Sequence, residues 1–301
     1  MLTAAIWIAL AGVLLRRLAV GRDRLRDEAS SPAGLTGVAG TAVLGTRLIE
    51  LGWGTAGMAL LGLAFAAWCA LLPIVLGRLR GRADGVAFMV TVATEGIATL
   101  AAAVGSAEHS GWLVDAAVAL AVAGLALYPL VLSRFDLGQL KLGRGDHWVA
   151  GGSLAISALA LAEITVAARH TGATGSLESV LRDSALVVWA LAVAWIPVLV
   201  LAELRWPRLR YDTRRWATVF PLGMYAACSF SVASAAGVPG IADFARGWVW
   251  VAAAAWAFAF AAMLRSIARA VRHAIPRPRA TPLPPPGGST MPPGSCRPPA
   301  R

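Results

Sequence analysis

The chain has 301 residues, 58% of them hydrophobic and 14% charged, where a soluble domain carries roughly 25% charge. That composition excludes an ordinary soluble enzyme or binding module and marks an integral membrane protein. A net charge of +11 would suggest nucleic acid in a soluble protein, but the basic residues lie almost entirely between apolar runs. Membrane insertion accounts for them there, and no nucleic-acid partner is implied.

Nine apolar segments follow one another, of a length that suits a hydrocarbon core of about 30 Å. They cover about 2–20, 34–52, 56–77, 85–105, 111–133, 147–168, 184–204, 216–236 and 248–270, with ends set to within ~2–4 residues. The short loops predict consecutive spans packed as antiparallel neighbours in an all-α membrane fold. Of the 27 basic residues, all but Arg47, Arg169, Arg182 and Arg246 fall after the odd-numbered spans. The positive-inside rule makes that side cytoplasmic and puts the C-terminus inside.

The same count puts Met1 outside, although nothing basic precedes the first span. That span also lacks the basic n-region and A-x-A-like site of a signal peptide. Residues 1–273 are expected to form the transmembrane domain. The segment 274–301, rich in Pro and Gly, reads as a disordered cytoplasmic tail.

The second, fourth, sixth and eighth spans mix small and hydroxylated residues through their length, among them Thr41, Thr91, Thr94, Ser153, Ser157 and Thr218. Small residues let helices approach closely and hydroxyls can line a wet path, so these spans are expected to form an inner ring. The third, fifth, seventh and ninth are mostly Ala, Leu, Val and Trp, as lipid-facing helices should be. Trp112, Trp148, Trp206, Trp216 and Trp248 sit near span ends, where aromatic rings favour the interface.

A charge at the bilayer centre costs at least about 2.5 kcal/mol unless paired or hydrated. Arg47 and Glu163 lie about five residues from the outer ends of their spans, and equal depth suggests that they pair. Glu95 has no charged residue at its own depth, so its carboxyl either holds a proton or faces water. Cys69, Cys228 and Cys296 show no metal-like or redox spacing and the four histidines fall at span ends, so no metal, cofactor or covalent chemistry is expected.

The eighth span opens with Phe220-Pro221-Leu222-Gly223. A proline inside a membrane helix frees a carbonyl that lipid cannot satisfy. Phe220 to Gly223 therefore forms either a constriction on a water-filled path or a kink that shapes packing, and the residues alone leave both open.

Five blocks carry a family resemblance in order: TGVAGTAVLGTRL at Thr36–Leu48, FMVTVATEGIATLAA at Phe88–Ala102, GDHWVAGGSLAIS at Gly145–Ser157, WALAVAWIPVLV at Trp189–Val200 and RRWATVFPLGMYAA at Arg214–Ala227. Together they resemble the tellurite-resistance/dicarboxylate transporter family, which includes malate transporters, sulfite efflux pumps and plant slow-type anion channels. The resemblance implies a ten-helix fold of hairpins whose alternate helices surround a pore, often in a trimer. It implies that Phe220 is the aromatic gate, with Pro221 and Gly223 shaping a helix break beside it. Small anions such as C4-dicarboxylates, sulfite or tellurite-related oxyanions are the implied cargo, and a plasma-membrane location is the expectation that goes with a transporter reading.

Two departures stand out. The second span matches the third family helix, so the first, pore-lining helix is expected to be absent. Either the start lies upstream or one inner wall is lacking, and a non-transporting subunit is the alternative this leaves open. Glu95 stands where similar sequences carry a neutral Gln, and a fixed negative charge there would oppose anions unless protonated. A membrane-embedded enzyme is the remaining alternative, with only Arg47, Glu163 and Glu95 to supply it.

Overall fold

The computed structural model describes residues 2–20, 30–79, 81–142, 145, 147–172, 175–207 and 211–274. Nine long helices make up nearly all of it: α1 (Leu2–Val20), α2 (Thr36–Glu50), α3 (Gly54–Arg78), α4 (Met89–Ala107), α5 (Gly111–Leu132), α6 (Trp148–His170), α7 (Gly175–Arg205), α8 (Trp216–Ala236) and α9 (Pro239–Ala274). The fold is therefore all-α, and the expected tail lies outside the described residues except for Ala274. Residues Met1–Met263 form one compact unit. The described part of the second, Leu264–Arg301, is the basic end of α9, with Arg269 Nε donating to the Arg265 carbonyl (3.3 Å).

Seven helices, α3 to α9, are long and apolar enough to cross a bilayer, while α1 contributes the shorter apolar stretch Thr3–Leu14. The helix α2 has only 15 residues, because its expected span divides into a 3-10 turn, Pro32–Leu35, and the helix proper. It stops before Gly52, whose φ of 81° is a left-handed value that glycine adopts without strain.

The last helix begins nine residues before the expected 248. Pro239 starts it directly after Gly237, a left-handed C-cap (φ 68°), and it runs through the Asp243–Arg246 pair (2.5 Å). Hydropathy alone ends a span where polar residues begin, whereas a helix continues through them when i, i+3 charges pair. The helix α7 also starts nine residues early, at Gly175 rather than 184, and there Glu178 pairs with Arg169 of α6 (2.6 Å) and Arg182 with its neighbour Asp183 (2.9 Å).

Burial separates the helices into two sets. In their most apolar stretches α4 and α6 are each 83% buried and α8 is 56% buried, against 11% for α3 and 6% for α9. The inner helices pack in the order α2, α4, α6, α8, with α3 and α5 against α4 and with α7 against α6 and α8. Close approach at α6 depends on paired glycines. A side chain at Gly151 would collide with the Tyr225 hydroxyl, and one at Gly152 would lie 2.8 Å from Pro221.

One bond pattern recurs between outer and inner helices. Trp7 of α1 donates its indole N–H to Thr41 of α2 (3.0 Å), Trp68 of α3 to Thr94 of α4 (2.9 Å), and Trp189 of α7 to Ser229 of α8 (2.8 Å). Each hydroxyl passes its own hydrogen to the carbonyl four residues back, at Gly37, Val90 and Tyr225. An indole N–H is costly to bury without an acceptor, and at these three tryptophans the hydroxyls of the small-residue helices supply it.

Thr94→Val keeps the shape and removes the acceptor. It is expected to lower unfolding stability by about 1 kcal/mol, the scale of an interhelical hydrogen bond in lipid. Thermal unfolding in nanodiscs measures this, and Trp68→Phe in the same background should add little further loss.

Candidate functional site

The segment entering α8 is fixed by its polar residues. Asp212 accepts the Arg214 backbone N–H (3.1 Å) at the start of a 3-10 turn, Thr213–Arg215, and Arg215 pairs with Glu203 of α7 (3.3 Å). From Trp216 the helix runs continuously to Ala236, with Pro221 inside it. The expected break is thus a proline carried within a helix. Pro221 lies in the second turn, where the N–H it lacks would have served only the Ala217 carbonyl.

Pro221 and Phe220 point to opposite surroundings. Pro221 is buried, in the close approach to Gly152. Phe220 is 41% exposed, and an added Cβ at Gly223 would meet nothing within 4 Å. The exposed positions of α8, Phe220, Gly223, Ala227, Phe230 and Ser234, recur every three or four residues and form one open face.

A similar exposed face on α2 carries Gly37, Gly40, Val43 and Arg47. Gly37 and Gly40 also have open space where a side chain would stand. Among the described residues α2 and α8 share no packed face, so the row of inner helices is open between its two ends.

The hydroxyls singled out in the sequence lie elsewhere. Thr41, Thr91, Thr94, Ser153 and Ser157 are all buried, as is Glu95. Thr41 and Thr94 hold tryptophans from outer helices, and half-buried Thr218 has its Oγ1 3.5 Å from the Gly145 carbonyl.

Glu95 and Ser157 come together between α4 and α6. Ser157 Oγ lies 2.8 Å from Glu95 Oε1 and 3.0 Å from the Ser153 carbonyl, while Ser153 Oγ donates to the Ala150 carbonyl (2.8 Å). The second oxygen of Glu95 and the hydroxyl of Thr91 are buried with no hydrogen-bond partner among the described residues.

The expected Arg47–Glu163 pair does not form. Arg47 pairs with Glu50, one turn on (2.5 Å), and Glu163 accepts the Ser231 hydroxyl of α8 (2.7 Å). Equal depth fixes only one coordinate, and α4 packs between the helices that carry the two charges.

Two interface tryptophans also turn inward. Trp148 is 4% exposed, and Trp248 donates to the Leu222 carbonyl (3.1 Å), whereas Trp112 and Trp206 stay exposed. The clamps at Trp7, Trp68 and Trp189 were missed in the sequence. For Trp68 the signal was a tryptophan well inside an apolar span, whereas Trp7 and Trp189 stand about five residues from the ends of their expected spans.

Comparisons with known proteins agree with this architecture. The family model described as voltage-dependent anion channel matches residues 1–264. Two proteins described as uncharacterized membrane proteins of Mycobacterium tuberculosis, from strains CDC 1551 / Oshkosh and ATCC 25618 / H37Rv, are each 34% identical over 166 residues, covering 53% of this chain and 79% of theirs. No solved structure matches.

Proposed function

The chain belongs to the voltage-dependent anion channel family, and on that premise we propose that it is a permease for small anions. The cargo class is C4-dicarboxylates, sulfite or tellurite-related oxyanions. The path runs along the open faces of α2 and α8, and Phe220 is its gate. The observation that carries this is the exposed face of α8, where Phe220 stands beside Gly223 and backbone with no side chain over it.

A permeation path needs two properties that the open faces supply. Glycines at 37, 40 and 223 leave backbone dipoles uncovered, and such dipoles replace part of an anion's hydration shell. The α2 face ends in the exposed ion pair Arg47–Glu50 (2.5 Å), so its cation is offset by a carboxylate one turn on. Phe220 narrows the path with a ring that offers no hydrogen bond, so an anion passing it sheds water without compensation until the ring swings aside.

Pro221 and Gly223 set the gate's position. Pro221 anchors this turn against α6, and Gly223 keeps the space beside the ring clear. The arginine asymmetry supports a plasma-membrane orientation with the C-terminus in the cytoplasm. A homotrimer is part of the same reading, with the exposed outer helices turned to lipid or to neighbouring copies.

Proteoliposome uptake tests the function. Protein reconstituted at known density should accelerate uptake of malate, sulfite or chloride over protein-free vesicles and leave potassium uptake unchanged. Equal rates for all three anions with and without protein would reject the permease.

A further inference from the structure

We propose that Glu95 is a proton-binding site: its carboxyl is a neutral acid that donates from Oε1 to Ser157 Oγ, whose own hydrogen goes to the Ser153 carbonyl. Counting hydrogens leads there. Ser157 has one hydroxyl hydrogen and lies within hydrogen-bond distance of two acceptor positions, Glu95 Oε1 at 2.8 Å and the Ser153 carbonyl at 3.0 Å. An ionised Glu95 would leave one of those contacts without a hydrogen between its oxygens. A proton on Oε1 fills both and closes a directional chain from α4 into α6.

The second oxygen points the same way. Glu95 Oε2 is buried with no partner among the described residues. An ionised carboxylate would place half its charge on that oxygen in apolar surroundings, whereas the carbonyl oxygen of a neutral acid tolerates the same position far better. Among the described residues no cation pairs with it. Among the described residues Ser157 is its one side-chain hydrogen-bond partner, and none of the titratable groups on the helices packed against α4, including Asp115 and Tyr128 of α5, Glu163 of α6 and Arg47 of α2, is hydrogen-bonded or ion-paired to it.

The neighbouring helix is shaped around the acid. A Cβ at Gly124 of α5 would come 2.5 Å from Glu95 Oε1 and 2.7 Å from its carboxyl carbon, so the group lies directly against the α5 backbone. The proton therefore does two things. It removes a fixed negative charge from the inner helices of a permeation path for anions, and it links α4 to α6 beside α5.

The infrared spectrum of full-length protein in lipid tests this, with glutamate carboxyls isotope-labelled. At neutral pH a protonated-carboxyl C=O band is expected, absent in Glu95→Gln and moved to higher frequency in Ser157→Ala, where the hydrogen bond is lost. Gly124→Ala, which displaces the carboxyl, should move it too. Glu95→Gln can donate to Ser157 from its amide and should keep anion flux within about twofold of wild type. Absence of a protonated band that depends on residue 95 overturns the proposal, as does loss of flux in a folded Glu95→Gln protein. The flux arm rests on the permease reading and the infrared arm does not, so a protein that passes no anions in any form leaves the spectrum as the deciding result.

Discussion

Phe220→Ala is expected to raise anion conductance by at least about tenfold, since each 1.4 kcal/mol removed from a barrier is a factor of ten. The ring stands on the open face of α8, 41% exposed, and makes no ring contact with another aromatic among the described residues. Removing it should therefore cost little stability compared with the 3–5 kcal/mol typical of a core Phe→Ala change. High conductance with near-normal thermal unfolding would separate a gate from a packing residue. Phe230 is a built-in control, because it lies on the same face with the same 41% exposure. Phe230→Ala should change conductance much less, since it lacks the rigid support that Pro221 gives the turn at 220. Unchanged conductance in Phe220→Ala, in a protein otherwise active, would remove the gate assignment.

Gly152→Ala should be the most damaging small substitution in the chain. Its new Cβ would lie 2.8 Å from the Pro221 Cβ, 3.0 Å from its Cγ and 3.2 Å from its Cα. The proline ring cannot rotate away, and its Cα belongs to the helix itself, so relief requires α8 to move from α6. Overpacking of this kind costs about 1–3 kcal/mol when neighbours can adjust, and here the upper end is expected. Gly151→Ala meets Tyr225 instead, and would break the bond from its hydroxyl to the Ala192 carbonyl (3.0 Å). Because the displaced helix carries Phe220, both substitutions should change conductance as well as unfolding temperature. A Gly152→Ala protein that melts and conducts like wild type would show that α6 and α8 do not approach as described.

Composition and hydropathy made the helical membrane fold legible, along with the alternation of buried and exposed helices. Small-residue texture was a sound guide because close helix approach requires it, as Gly151 and Gly152 show. Hydropathy was a poorer guide to ends, placing α7 and α9 nine residues late because it cannot see a helix continuing through Asp183 or Asp243.

The candidate site was less legible, for a directional reason. A sequence gives depth in the membrane, but not which neighbour a side chain meets. Thr41 and Thr94 looked like lining residues and instead hold Trp7 and Trp68. Arg47 and Glu163 share a depth and lie on helices that α4 keeps apart. Glu95 was identifiable as a carboxyl without a charged partner, yet the hydrogen count behind the proposed proton needed Ser157 and the Ser153 carbonyl of α6 in place, and its seat against α5 needed Gly124.

Selective passage of anions would show in the reversal potential of the current. Purified protein carrying Phe220→Ala, fused into a planar bilayer under gradients of potassium malate, sulfite and chloride in turn, should give currents with at least one of them that reverse near the equilibrium potential of the anion. Reversal near the potassium potential, or no current above that of the bare bilayer with any of them, would contradict it.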